Sequence, residues 1–115
     1  RRIPDMGLIN SGYTMDLMGA HQQIQIRSWT AEHRMAHQLP FQWETDRWYR
    51  VKLRVEASGK DAIILGKAWL KEDLEPKNWT ISAKDPYPIR RGSPALIGNS
   101  PSPVHYDNVK VTQNP

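Results

Sequence analysis

Three strand-length segments carry side chains able to grip a ligand. Gln23, Gln25, Arg27 and Trp29 alternate along the first, Arg50, Lys52 and Arg54 along the second, and Lys67 and Trp69 along the third. In extended backbone alternate side chains share a face, so each set lies on one side of its strand. Aligned across one sheet, Gln25, Arg27, Trp29, Arg50, Lys52, Arg54, Lys67 and Trp69 form a groove of amide and cationic donors edged by indole rings. Such a groove suits sugars, whose hydroxyls need hydrogen-bond partners and whose C–H faces pack on aromatics. A cationic floor favours a sulfated or uronic-acid polysaccharide. The plain alternative is a solvated face, because alternating Lys and Arg is also how antiparallel sheets stay soluble. Ile63 and Leu65 share the parity of Lys67 and Trp69, so that strand's face is not cleanly polar.

Catalytic and metal chemistry find weaker footing. Glycoside hydrolysis needs two carboxylates about 5 to 9 Å apart across a cleft. The nearest acidic run, Glu72-Asp73-Leu74-Glu75, has the wrong spacing and reads as a solvated turn. Asp107-Asn108, with Asp16, is too small a set for a hard cation, which wants about six oxygens. His33 and His37 have the spacing of two ligands on a helix, but their segment is a poor helix, and His21 and His105 stand apart. Gly92-Ser93-Pro94 is no nucleophile elbow, and the scattered glycines make no phosphate loop. No cofactor or metal is expected, and no catalytic residue is assigned.

Composition narrows the class further. The chain of 115 residues suits one domain, with 38% hydrophobic and 24% charged residues. Sixteen Lys and Arg against twelve Asp and Glu give a net charge of +4. The charges are interspersed, and no nucleic-acid-reading motif accompanies them. Cysteine is absent, which excludes disulfides and thiolate sites. No apolar run approaches the ~18 residues that span a bilayer, and no signal peptide follows Arg1-Arg2-Ile3-Pro4-Asp5. Five Trp and four Tyr stand against one Phe, and most of the tryptophans are expected in the core. Asn78-Trp79-Thr80 fits a glycosylation sequon and is taken as chance.

The elements that must position these residues are strands. Turn-formers recur at short intervals: Asn10-Ser11-Gly12, then Gly19, then Ser58-Gly59-Lys60-Asp61, then a proline-rich tail. Strands are expected over residues 13–18, 22–29, 48–56, 62–70, 79–83, 95–97 and 104–112. Residues 30–38 read as a loop leading into a strand that ends near Pro40-Phe41. Ile24 and Ile26 share one face, as do Tyr49, Val51, Leu53 and Val55. The segments 48–56 and 62–70 form the best hairpin. This is an all-β chain, an antiparallel jelly roll or β-sandwich.

Several pieces in this order carry a resemblance: Gly7-Leu8-Ile9-Asn10, Tyr13-Thr14-Met15-Asp16-Leu17-Met18-Gly19, Gln22-Gln23-Ile24-Gln25-Ile26-Arg27-Ser28-Trp29, Trp48-Tyr49-Arg50-Val51-Lys52-Leu53-Arg54-Val55, Gly66-Lys67-Ala68-Trp69, Glu75-Pro76-Lys77-Asn78-Trp79-Thr80, Gly92-Ser93-Pro94-Ala95-Leu96-Ile97-Gly98 and Asp107-Asn108-Val109-Lys110-Val111. Together they resemble the C-terminal domain that follows pyrroloquinoline-quinone-type β-propeller repeats in some exported bacterial proteins. That domain is similar to concanavalin A-like lectin and glucanase sandwiches, including laminin G-like modules. The resemblance implies a single β-sandwich over residues 1–115, an extracytoplasmic location (periplasm or cell surface) and a non-catalytic or uncharacterised role. Complete domains of that type are longer, so the chain is expected to be part of a longer one, lacking N-terminal strands. Their place is then taken by another segment, or an open strand edge pairs with a second copy.

Three functions follow as expectations. The first is a carbohydrate-binding accessory module, with an anionic polysaccharide favoured. The second is a structural domain that docks on a β-propeller or a partner chain. The third is a glycan-processing enzyme with an unrecognised site.

Overall fold

The computed structural model describes residues 3, 5–10, 12–28, 36–86, 95–99, 106 and 109–111. Its elements are eight strands: β1 (Asp5–Asn10), β2 (Tyr13–Met18), β3 (Gln23–Ser28), β4 (Ala36–Pro40), β5 (Tyr49–Ser58), β6 (Asp61–Leu70), β7 (Ile81–Asp85) and β8 (Ala95–Asn99). No helix occurs among the described residues. One sheet has five strands in the order β4-β3-β2-β1-β8, and the other has three, β5-β6-β7. All pairings are antiparallel. The all-β expectation holds, in a two-sheet form compatible with a β-sandwich.

Apolar alternation builds the core between the sheets. Tyr13, Met15 and Leu17 of β2 and Ile24 and Ile26 of β3 point inward, as do Ala62, Ile64 and Ala68 of β6 and Ile81 of β7. Each large side chain so buried contributes about 1.5–3 kcal/mol. Tyr49, Val51, Leu53 and Val55 of β5 pack against this core half-buried. The sheets approach closely where β6 crosses β2: a Cβ added at Gly66 would stand 2.6 Å from the Met15 sulfur. One polar strut also crosses between them, the Tyr13 hydroxyl donating to Asp85 Oδ2 at 2.5 Å with both residues buried. The Gly59-Lys60 loop joins paired Ser58 and Asp61, and the positive φ of Gly59 (62°) suits a type II′ hairpin.

The element boundaries differ from expectation in places. Residues 5–10 form a strand that no alternation announced; it is held between β2 and β8. Strand β7 starts at Ile81 rather than Trp79, because Trp79 and Thr80 belong to the preceding loop, where Thr80 Oγ1 accepts from the Ala68 N–H at 3.3 Å. Within the expected closing strand 104–112, Tyr106 and residues 109–111 are outside any strand, and the rest lie outside the described residues. Of the four described tryptophans only Trp43 is in the core; Trp69 and Trp79 are half-buried and Trp48 is 52% exposed.

Candidate binding surface

The eight residues expected to line one groove stand in two places. Gln25 and Arg27 lie on β3, in the five-stranded sheet; Arg50, Lys52 and Arg54 lie on β5 and Lys67 and Trp69 on β6, in the three-stranded sheet. Trp29 lies outside the described residues. Each set has the parity opposite to inward residues of its own strand, so the two sets occupy the two outer faces. A single groove holding all of them is not formed, because β3 pairs with β2 and β4 and never with β5. Each outer face has its own polar cluster.

On the three-stranded sheet the ladder sets Arg50 opposite Trp69, Lys52 opposite Lys67 and Arg54 opposite Leu65. The ladder runs one pair further, the Lys71 N–H donating to the Trp48 carbonyl at 2.9 Å, which puts Trp48 in register with the Arg50 face. Two lysines directly opposite repel. The loop 71–80 resolves this by laying Glu75 across them: its Oε2 lies 2.7 Å from Lys67 Nζ and 3.1 Å from Lys52 Nζ. Lys67 also donates to the Pro76 carbonyl at 2.8 Å. Its ammonium sits 4.7 Å from the Trp79 ring centre and 5.7 Å from that of Trp69, within cation–π range. Hydrogen bonds from Lys67 and then Lys52 hold the Glu75 carboxyl below the usual carboxylate range. The loop is pinned separately by an Arg47–Glu72 ion pair and by the Asp73 N–H on the Leu70 carbonyl at 3.0 Å. Arg54 Nε lies 3.0 Å from Glu56 Oε2 but does not aim its N–H at it. Arg50 is exposed.

On the five-stranded sheet the cluster is closed. Asp16, on the outer side of central strand β2, is only 8% exposed. Its Oδ2 accepts from Arg27 Nε at 2.8 Å, Thr14 Oγ1 at 3.2 Å and Gln25 Nε2 at 3.3 Å. Beside it, the Tyr106 hydroxyl accepts from the Gly7 N–H and donates to the Gly7 carbonyl, both at 3.0 Å. A Cβ at Gly7 would overlap the Met15 carbonyl. Asp16 is thus engaged by an arginine, an amide and a hydroxyl, while Asp107 and Asn108 lie outside the described residues. Among the described residues no three His, Asp or Glu side chains gather as a metal would need. His21 and His37 are exposed, and His33 and His105 are outside the described residues.

A shallow cavity of about 420 Å³ opens at one end between Gln22, Trp43, Arg47, Tyr49 and Leu70. Gln22 and Arg47, two of its polar side chains, are already used. Gln22 donates to the Gly19 carbonyl at 2.8 Å and accepts from the Trp43 N–H at 2.7 Å, and Arg47 pairs with Glu72 and Glu44.

Sequence reasoning did not find Glu75, Trp79, Trp48 or Tyr106 as members of these clusters. The parity of Arg50 was the available signal for Trp48. Glu75, Trp79 and Tyr106 lie in aperiodic segments that carry no such signal. The chain was compared with protein-family models, curated proteins and solved structures, and nothing matched.

Proposed function

We propose that the chain is a non-catalytic binding module, of concanavalin A-like jelly-roll type, that holds carbohydrate on the outer face of its three-stranded sheet. Its setting is an exported bacterial protein. The observation that carries this reading is the convergence of two half-exposed indoles, Trp69 and Trp79, on the Lys52–Lys67–Glu75 cluster, with exposed Arg50 beside them. Indole faces pack on sugar C–H groups, and the charged groups offer hydrogen bonds to hydroxyls. Arg50, Lys52 and Lys67 outnumber Glu75, so an acidic polysaccharide is favoured over a neutral one.

Docking on a β-propeller or partner chain is the second reading. It is favoured by the exposure of Trp48 (52%), just before β5, and Leu74 (93%), just after β6. Isothermal titration of the protein against acidic and neutral glycans separates the two. Carbohydrate binding predicts affinity in the wild type that falls in Arg50→Ala and Trp69→Ala but not in Gln38→Ala, on the other sheet. No glycan affinity in the wild type overturns the first reading.

A further inference from the structure

We infer that Lys52 and Lys67 form an anion seat that the chain's own Glu75 occupies, so that an acidic ligand on this face competes with Glu75 for the two ammoniums. The identity of the ligand as an acidic sugar rests on the carbohydrate reading; the seat does not.

The seat is built rather than incidental. Lys67 has a side chain only 5% exposed, and its ammonium is enclosed by Glu75, the Pro76 carbonyl and the rings of Trp79 and Trp69. An ammonium so placed attracts an anion to its open side, and the Pro76 carbonyl and the two rings still hold it when that anion leaves. Lys52 converges on the same oxygen, Glu75 Oε2, and its own ammonium stands 6.0 Å from the Trp79 ring centre. Two cations aimed at one oxygen suit a sulfate ester or uronate carboxylate as well as they suit a glutamate. The paired β-strand register holds Lys52 opposite Lys67, so the donors need little ordering when an anion arrives.

Glu75 is also the member of the cluster that can leave. Its side chain is 44% exposed, so the outer side of the seat opens to solvent. The loop has other anchors, the Arg47–Glu72 pair and the Asp73–Leu70 bond. A side-chain rotation therefore frees the seat while the loop stays in place. In this arrangement Glu75 is an internal competitor that weakens acidic ligands and leaves neutral ones unaffected.

The test titrates inorganic sulfate at constant ionic strength into the wild type, Glu75→Ala and Glu75→Gln, following tryptophan fluorescence because Trp69 and Trp79 line the seat. Both variants are expected to bind sulfate at least about tenfold more tightly than the wild type, as removal of a charge-assisted competitor implies. Asp73→Asn, which removes a charge from the same loop and keeps the backbone N–H that anchors it, should behave as the wild type, and adding Lys52→Ala to Glu75→Ala should abolish the gain. Should Glu75→Ala fail to fold, Glu75→Gln carries the comparison alone. Equal sulfate response in the wild type and the Glu75 variants overturns the seat. Polygalacturonate and a neutral β-glucan form the second arm: the first should gain affinity in the Glu75 variants and the second should not change. Tighter sulfate with no glycan bound by any variant sinks the carbohydrate reading and leaves the seat standing. Polygalacturonate bound equally by all three proteins, with no sulfate gain, sinks the seat and leaves the carbohydrate reading standing.

Discussion

Asp16 and Glu75 are both carboxylates paired with a cationic side chain on an outer sheet face, yet they sit in opposite surroundings. Asp16 rises from the central strand β2 and is 8% exposed, whereas the Glu75 side chain comes from a loop and is 44% exposed. Across the β2–β3 ladder Asp16 faces Gln25 directly, and Arg27 pairs with Thr14 two residues along on the same face, so donors and acceptor are matched by register alone. Across β5–β6 the register instead opposes two lysines, and a loop residue must supply the missing charge. Alternation puts polar side chains on both faces, but the cross-strand neighbour decides whether a charge becomes an internal strut or a surface that can exchange partners.

The sharpest way to break that contrast is to remove each carboxylate in turn. Asp16→Ala removes the carboxylate that Arg27 Nε and Gln25 Nε2 donate to, on a partly buried face, at an expected cost of about 2–4 kcal/mol. Urea unfolding followed by tryptophan fluorescence should show a large drop in midpoint for Asp16→Ala and a far smaller one for Glu75→Ala. Equal drops would mean that both carboxylates are struts. Tyr106→Phe sharpens the same face at lower cost. It removes the hydroxyl that satisfies Gly7 N–H and C=O, and about 1 kcal/mol should be lost, read from the same denaturation curves.

The contrast also marks where sequence patterning stops. Ile24 with Ile26, and Val51 with Leu53, are legible as inward pairs because period two is a local property. The Ser58–Asp61 turn is legible because Gly59 supplies the backbone geometry. Which sheet a strand joins is not local: Gln25 and Arg27 share the pattern of Arg50 and Lys52 but belong to the other layer. Strand β1 goes unannounced because Gly7 and Asn10 are poor strand formers and only Met6 and Leu8 face the core from it. Its place depends on β2, β8 and Tyr106, which are distant in sequence or follow it. Glu75 is illegible for a different reason. A charged residue beside a proline in a loop reads as solvated, and only the folded loop reveals the lysines beneath it.

A smaller effect on stability, though not on binding, is expected from Lys67→Met. A buried ammonium is costly to desolvate, and an apolar chain of similar length between Trp69 and Trp79 is expected to be neutral or stabilising by about 1 kcal/mol. In the Glu75→Ala background the same change should remove the sulfate response. Thermal unfolding and the sulfate titration measured on the same proteins check both halves. A large loss of stability would place Lys67 with Asp16 as a strut rather than with the exchangeable face.

The smallest predicted signal is the pH dependence of the loop. Hydrogen bonds from Lys67 and Lys52 lower the folded Glu75 below its ordinary value of 4.5. A depressed carboxyl contributes stability that is fully present above the ordinary value and is lost as pH falls through the folded one. On acidification through and below 4.5, Glu75 gains a proton, its pull on the two ammoniums ends, and the environment of Trp69 and Trp79 changes. The informative quantity is the difference in tryptophan fluorescence between the wild type and Glu75→Gln, which isolates this one group. A step in the wild type that the variant lacks identifies the release of Glu75. Identical titrations would mean that its charge does not hold the loop against the lysines, and Glu75 would then lose its distinction from an ordinary solvated glutamate.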